Sequence, residues 1–583
     1  MVKSVPIISA SRSVTANPAR HAVAGRLVFA IALTAIVFML LLNVFRRVSY
    51  FGDEGFYGIT ALNMLHDPAY LLRPSYYPLG DFAAEKDAFA HPPLNSYLYA
   101  LALWISNGSF VALEILNALS LGLFLFFAYR LLAVFDIQTA RFAVVLLAAS
   151  PAILHAWSEV EAEPMMSAVG VMALYYGARA GFQVGQRGPL FLCGLSLGMA
   201  FALKLWLFAP FALAVTVLLG ARAWQANATV SQKLRSLIIV ALAALIPAAA
   251  HLLSVAIFYP EDLPFWLRKV YFGFFIREGI SGGKFTGDVI DPRWVHPIWY
   301  YAGVLYRDHF FLVPALVLGF SSLLRDSRLN RELLWMIVAG IVGIVPFSLM
   351  KIKEPMYILS CTVFIYFLAA ACLAALVRRL NSSSATNPSG KLGTTAIVAL
   401  LVLFPLAYAW GIRPREITLT LVVVHTVALS LILFSYWWSR RSGGRIIERT
   451  IYATCAVALL LGFFYDGVTR RPRDKVITRL IQPYIENNST KVLSLVATEY
   501  KAYQFYAFRR GCYWDELPIY QSPATVFGSA ELSHARAFVI EPEDLVKPEM
   551  KPWIAWLEAN TTEKTSDLNA QLGAVSHLRI FVR

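Results

Sequence analysis

The chain has 583 residues, 58% of them hydrophobic and 15% charged, with a mean hydropathy of +0.59. That is too apolar for a soluble globular protein and defines a multi-span membrane protein. The formal charge of +15 belongs in the cytoplasmic loops of such a protein. No compact basic patch with a reading motif accompanies it, which excludes nucleic acid as a partner. Cys193, Cys361, Cys372 and Cys455 lie inside apolar runs and Cys512 stands apart near the C-terminus, so neither metal spacing nor a disulfide framework follows.

Residues 1–26, with Lys3, Arg12 and Arg20, read as a cytoplasmic tail. The run 27–45 is long enough to span. It leads into Arg46 and Arg47 and not into a small-residue cleavage site, so it reads as a retained anchor. Further apolar runs fall at 109–133, 140–157, 164–180, 189–203, 205–220, 236–258, 298–323, 332–350, 356–378, 394–411, 417–438 and 449–466. Together they predict about thirteen transmembrane helices within 27–466. The run 97–105 is too short to cross and is expected to lie in the interface.

Loop charge orients this count. With the N-terminus inside and 97–105 not crossing, the inner loops hold Arg130, Arg141, Arg179, Arg187, Arg222, Lys233, Arg235, Arg325, Arg328, Arg331, Arg378, Arg379, Lys391, Arg440, Arg441, Arg445 and Arg449, as the positive-inside bias requires. Counting 97–105 as a span would turn all of these from Arg130 onward to the outside. Arg46, Arg47, Arg413 and Arg415 stay outside, so the pattern is a bias and not a rule. The outer face then carries the loops 46–108 and 259–297 and the segment 467–583. That last segment contains the strand-like runs "KVLSLVA" (491–497), "RAFVIE" (536–541) and "HLRIFV" (577–582), with a helical pattern around 551–560. It predicts a small extracytoplasmic α/β domain. The stretch "NSSSATNPSG" (381–390) reads as a flexible inner loop.

Acids and bases from separate segments gather on that outer face. Asp53 and Glu54 stand in "FGDEGFY". "SEVEAEP" (158–164) brings Glu159, Glu161 and Glu163. Lys204 sits between two apolar runs. The loop 259–297 adds Arg268, Lys269, Arg277, Lys284, Asp288 and Asp291, and "MKIKEPMYIL" (350–359) adds Lys351, Lys353 and Tyr357. Taken singly, each is explained by a solvated helix end or a snorkelling cation. Together they point to chemistry. Lys and Arg at headgroup level hold an anionic lipid phosphate, and a carboxylate opposite takes a proton from an acceptor hydroxyl. Attack at the anomeric carbon of a phosphate-linked sugar needs that base and stabilisation of the departing charge.

The motifs "DEGFYGITALNML", "HPPLNSYLYALAL", "GLSLGMAFALKLW" and "KIKEPMYIL", with the second-loop acids among them, stand in this order over about residues 27–380. They resemble the GT-C membrane glycosyltransferases, in particular the group with protein O-mannosyltransferases and the aminoarabinose transferase that modifies lipid A. The resemblance implies a GT-C fold, a polyprenyl-phosphate sugar donor, a lipid, glycan or protein acceptor, an extracytoplasmic active site in a bacterial inner membrane, and inversion at the anomeric carbon. Carried over by residue, Asp53 is the candidate base and Glu54 its partner. Glu161 or Glu163 matches the second-loop acid. Lys204 and Lys353 match cations near the donor phosphate, and Tyr357 matches the aromatic after the latter. Where the aminoarabinose transferase has Lys before its Pro-Pro pair, this chain has His91, which binds phosphate when protonated; Lys86 is the candidate substitute. Two or three carboxylates could hold a divalent cation, but no closed ligand set is visible. The rival reading from the residues is a transporter or flippase of a lipid-linked substrate. It is disfavoured by the lack of internal repeats and by the one-sided polar cluster.

Overall fold

The computed structural model describes residues 18–46, 53–66, 71–72, 93–109, 111–158, 161–181, 187–271, 296–309, 312–328, 330–350 and 355–382. Beyond these it describes 452, 480, 483, 491–494, 513–516, 522–523, 535–540, 545, 548, 550–572 and 579–583. The expected spans 394–411, 417–438 and 449–466 lie outside the described residues, Tyr452 excepted.

Among the described residues, ten α-helices come first: α1 Pro18–Arg46, α2 Asp53–His66, α3 Leu94–Ile105, α4 Val111–Ala133, α5 Ile137–Ala148, α6 Pro151–Ser158, α7 Ala162–Arg179, α8 Arg187–Leu203, α9 Ala209–Gln225 and α10 Val230–Phe258. The helices Tyr300–His309, Val313–Leu324, Arg331–Val342, Ile344–Leu349 and Leu359–Ser382 follow. Among the described residues, four segments are long and apolar enough to cross a membrane: Val111–Ala133, Val230–Phe258, Arg331–Leu349 and Met356–Arg379. α3, with 12 residues, reaches only about 18 Å, short of a hydrocarbon core of about 30 Å.

Several expected runs are broken, for local reasons. The run 140–157 divides into α5 and α6 at Ser150-Pro151. Proline lacks the N–H that a continuous helix needs and drives the preceding residue out of the helical region. Ser150 Oγ then accepts a hydrogen bond from the Ile153 N–H at 3.2 Å and lies 2.5 Å from the Tyr366 hydroxyl, which His309 Nδ1 also meets at 2.9 Å. The break is thus tied into a buried polar contact with two later helices. The run 298–323 likewise divides, with Pro314 in the first turn of the second piece. The segment 46–108, read from sequence as an outer loop, contains two helices, and Asp53-Glu54 opens the first of them.

α7 is the centre of the bundle. Every residue from Ala162 to Val171 is buried, because α4, α8 and α9 all pack on it. α8 is held against α10 by a stripe of small residues. A Cβ on Gly194 would stand 2.2 Å from the Val240 carbonyl oxygen, and one on Gly198 would stand 2.1 Å from that of Ala244. Only glycine permits so close a backbone approach, the small-xxx-small contact of membrane helices. α10 itself starts with a capping box, Thr229 with Gln232, which satisfies two orphan N–H groups.

At the end of the bundle where α4 stops and α5 starts, charges are neutralised in pairs. Asp136 caps α5, accepting from the N–H of Gln138 and of Thr139. Arg378 bridges Asp136 and Asp326, at 2.7 Å each. Arg222 meets Glu332 at 3.1 Å and donates to the Ala180 carbonyl. Burial pushes the Asp136 carboxyl up, but the Thr139 hydroxyl and the Arg378 guanidinium outweigh it and hold it below its ordinary value.

The C-terminal residues form a five-stranded sheet of β1 Lys491–Ser494, β2 Tyr513–Glu516, β3 Ala535–Ile540, β4 Thr562–Glu563 and β5 Arg579–Val582, in the order β2-β1-β3-β5-β4. β1 runs parallel to β2 and β3, and β5 antiparallel to β3 and β4. The helix Met550–Asn560 places Met550, Trp553 and Leu557 on Phe538, Ile540 and Phe581, which buries one face of the sheet.

Two outcomes follow. Gly198→Val forces α8 from α10 and lowers the melting temperature in detergent, at about 1–3 kcal/mol for an overpacked contact; Gly188→Val on the same helix, with open space at its Cβ, leaves it unchanged. For Asp136 the folded pKa lies below the unfolded one. Its stabilisation is therefore full above the ordinary carboxylate pKa of about 4 and fades as pH falls through the folded value. Arg378→Gln accordingly lowers the melting temperature at pH 7, and the gap to the native chain narrows in a titration below about pH 4.

Candidate active site

The opposite end of the bundle holds a buried ion pair. Lys204 follows the last residue of α8 and is 5% exposed; Glu163 lies in the first turn of α7 and is 2% exposed. Lys204 Nζ stands 3.1 Å from Glu163 Oε1. Each charge also suits its helix end, the carboxylate at the positive N-terminus of α7 and the ammonium at the negative C-terminus of α8. Glu163 Oε2 is buried and accepts no hydrogen bond, so half of this carboxylate keeps its lone pairs available.

Two tyrosines frame the pair. Lys204 Nζ donates to the Tyr57 hydroxyl at 3.3 Å and stands 5.7 Å from the centre of that ring, a cation–π distance. Tyr57 meets Tyr99 edge-on, with centroids 6.3 Å apart and planes at 68°. The Tyr99 hydroxyl donates to the Glu161 carbonyl at 3.0 Å, fixing the backbone where the chain enters α7. Tyr57 lies four residues after Asp53 in α2. Asn95, one turn before Tyr99 on α3, is fully buried, and neither of its amide atoms has a hydrogen-bond partner. The Ser96 hydroxyl beside it is buried and unpartnered too. Buried polar atoms are nearly always satisfied. Glu163 Oε2, Asn95 and Ser96 are exceptions to that rule.

The structure thus brings together Glu163 at the start of α7, the Lys204 that follows α8 and Tyr57 of α2; Asp53 and Glu54 open α2, and their side chains lie outside those described. It distinguishes the two second-loop acids: Glu163 reaches the cation, while Glu161 stands at the N-cap of α7 without a side-chain capping bond. Tyr357 lies half-buried in the turn Pro355–Ile358 that leads into the helix Leu359–Ser382. Lys86, His91, Lys351, Lys353, Glu159, Arg277, Lys284, Asp288 and Asp291 lie outside the described residues. Among the described residues, no group of three or more His, Cys, Asp or Glu side chains meets as a metal site would require. Tyr57, Tyr99 and Asn95 were not singled out from sequence. The usable signal was helical spacing: Tyr57 is four residues from Asp53, and Asn95 four from Tyr99.

This helix bundle shares its fold with a solved structure. It superposes on the crystal structure of ArnT from Cupriavidus metallidurans bound to undecaprenyl phosphate with a TM-score of 0.61, at 16% identity, over 97% of this chain and 98% of that one. The apo structure of the same protein matches equally. In sequence, the chain is 26% identical over 364 residues to the undecaprenyl phosphate-alpha-4-amino-4-deoxy-L-arabinose arabinosyl transferase of Serratia proteamaculans (strain 568), covering 60% of each. It is 27% identical over 344 residues to the enzyme of that name from Enterobacter sp. (strain 638), covering 56% of this chain and 57% of that one. The chain spans about three fifths of the length of the curated relatives it matches. No family model matches it.

Removing one member of a buried ion pair strands the other, at about 3–5 kcal/mol, whereas replacing both by apolar groups removes the stranded charge. Lys204→Met and Glu163→Met are each strongly destabilising in detergent melts, and the double variant is more stable than either single one. Additive losses would mean that the pair does not hold α7 to α8.

Proposed function

We propose that the protein is an integral membrane glycosyltransferase that moves one sugar from a polyprenyl-phosphate donor to a hydroxyl of a lipid, glycan or protein. The observation that carries this reading is the buried Lys204–Glu163 pair, with Tyr57, beside the end of α2 that opens with Asp53-Glu54. The relatives named for an undecaprenyl-phosphate-linked sugar, and the shared fold, support it.

In this reading Asp53 removes the proton from the acceptor hydroxyl as it attacks the anomeric carbon. The bond from that carbon to the phosphate oxygen breaks, and the phosphate departs on the lipid carrier. A single displacement inverts the anomeric carbon. Glu54 and the open oxygen of Glu163 orient polar groups of the sugar or acceptor, and Asn95 offers both a donor and an acceptor. Lys204 supplies positive charge in a site shielded from water, where it stabilises the departing phosphate more strongly than it would in solution. Lys86, His91, Lys353 and Tyr357 complete the phosphate end. The reading assigns no step to a metal. It places the site and the C-terminal domain on the extracytoplasmic side of a bacterial inner membrane, since the arginine-rich helix ends lie at the other end of the bundle.

The test uses membranes supplied with polyprenyl-phosphate-linked sugar and acceptor. Asp53→Asn, at normal expression and with a native melting temperature, loses transfer by about 10²-fold or more. Retained transfer overturns the base assignment. Movement of intact lipid-linked sugar across the membrane, with its glycosidic bond unbroken, would overturn the glycosyltransferase reading in favour of a flippase.

A further inference from the structure

At the far end of α7 from Glu163, two arginines converge on one phenol. Arg130, in the last turn of α4, donates to the Tyr175 hydroxyl at 3.1 Å, and Arg179, the last residue of α7, donates to the same oxygen at 3.4 Å. The Arg130 guanidinium also stands 5.7 Å from the Tyr175 ring centre and 5.9 Å from that of Phe126. Two like charges gathered on one neutral oxygen repel each other. Two other arginines at this end are treated differently: Arg222 is neutralised by Glu332, and Arg378 by Asp136 and Asp326. Among the described residues, neither Arg130 nor Arg179 forms an ion pair with a carboxylate.

The place of the pair on its helices indicates what completes it. The outward line of α4 is Ile115, Leu119, Leu123 and Phe126, with Leu119 65% and Phe126 53% exposed. At the 3.6-residue period Arg130 continues that line at its end. On α7 the less buried positions Met172 and Tyr176 lead in the same way to exposed Arg179. Phe127, Tyr175 and Tyr176 pack ring to ring behind the guanidiniums, at 5.2 to 5.9 Å between centroids. A lipid-facing apolar stripe that ends in aromatic rings and then in two cations matches the profile of a phospholipid, with acyl chains below and phosphate above. Glu163 and Arg179 are 16 residues apart on α7, about 24 Å along its axis, close to the thickness of a hydrocarbon core.

We propose that Arg130, Arg179 and Tyr175 form a binding site for the phosphate of an anionic bilayer phospholipid, at the end of the bundle away from the Lys204–Glu163 pair. The planar guanidiniums each offer paired donors to phosphate oxygens, and the Tyr175 hydroxyl, accepting from both, keeps its own proton for a third bond. The exposed Phe126 and Leu123 lie along the acyl chains.

The test measures thermal unfolding of the full chain in neutral detergent micelles doped with phosphatidylglycerol, with phosphatidylcholine or with inorganic phosphate. Phosphatidylglycerol raises the melting temperature of the native chain and the other two do not. In Arg130→Gln/Arg179→Gln the half-effect concentration of phosphatidylglycerol rises about tenfold or more, from the loss of charged hydrogen bonds. Tyr175→Phe, which keeps the ring, weakens the effect less. Native mass spectrometry of the same proteins reads retained phospholipid directly, so a variant that folds poorly is still scored. Three results overturn the proposal: equal stabilisation of native and double-variant chains, equal stabilisation by phosphatidylcholine, or equal stabilisation by inorganic phosphate.

Discussion

A lysine and a glutamate buried side by side, one at the end of α8 and one at the start of α7, constrain much of what surrounds them. Neither charge is tolerable alone in an apolar bundle, because the desolvation of each is offset only by the other and by nearby dipoles. The pair therefore fixes the register of two adjacent helices at one end. The glycine stripe of α8 against α10 sets the depth at which Lys204 emerges. Tyr57 then locks α2 onto the cation and Tyr99 locks α3 onto the chain before α7. Two short helices that would be marginal alone become the wall of a site.

The two ends of the bundle handle charge in opposite ways. The arginine-rich end closes its carboxylates into full pairs, Arg378 with two aspartates and Arg222 with one glutamate. The other end leaves polar capacity open, at Glu163 Oε2, Asn95 and Ser96. Completed pairs rigidify. Unsatisfied buried groups raise the free energy of the empty protein and lower it again when a polar ligand arrives. The two ends of α7 thus differ in how the carboxylates beside them are satisfied.

Much of this was legible along the chain. The apolar runs, the short α3, the strands around 491, 536 and 579 and the acid and cation segments follow from periodicity and composition. Other features were not. The run 140–157 looks continuous in hydropathy, yet Ser150-Pro151 divides it, because a missing N–H weighs more than an apolar neighbourhood. β2, "YWDE", has two carboxylates in four residues and becomes a strand through its parallel partner β1. The acid pair looked like loop because a window of hydropathy does not see a short helix that opens on two charges.

The sequence by itself determined that this is a membrane bundle, which helix ends carry cations, and which segments bring acids, since each depends on composition and local spacing. Tertiary structure alone decided that Glu163 and not Glu161 meets Lys204, that Tyr57 and Asn95 join them, and that Arg130 and Arg179 share one hydroxyl. Those pairings are set by which helices lie side by side and how deep each sits. That depends on the packing of small residues and buried charges from segments far apart along the chain, which no local window of sequence contains.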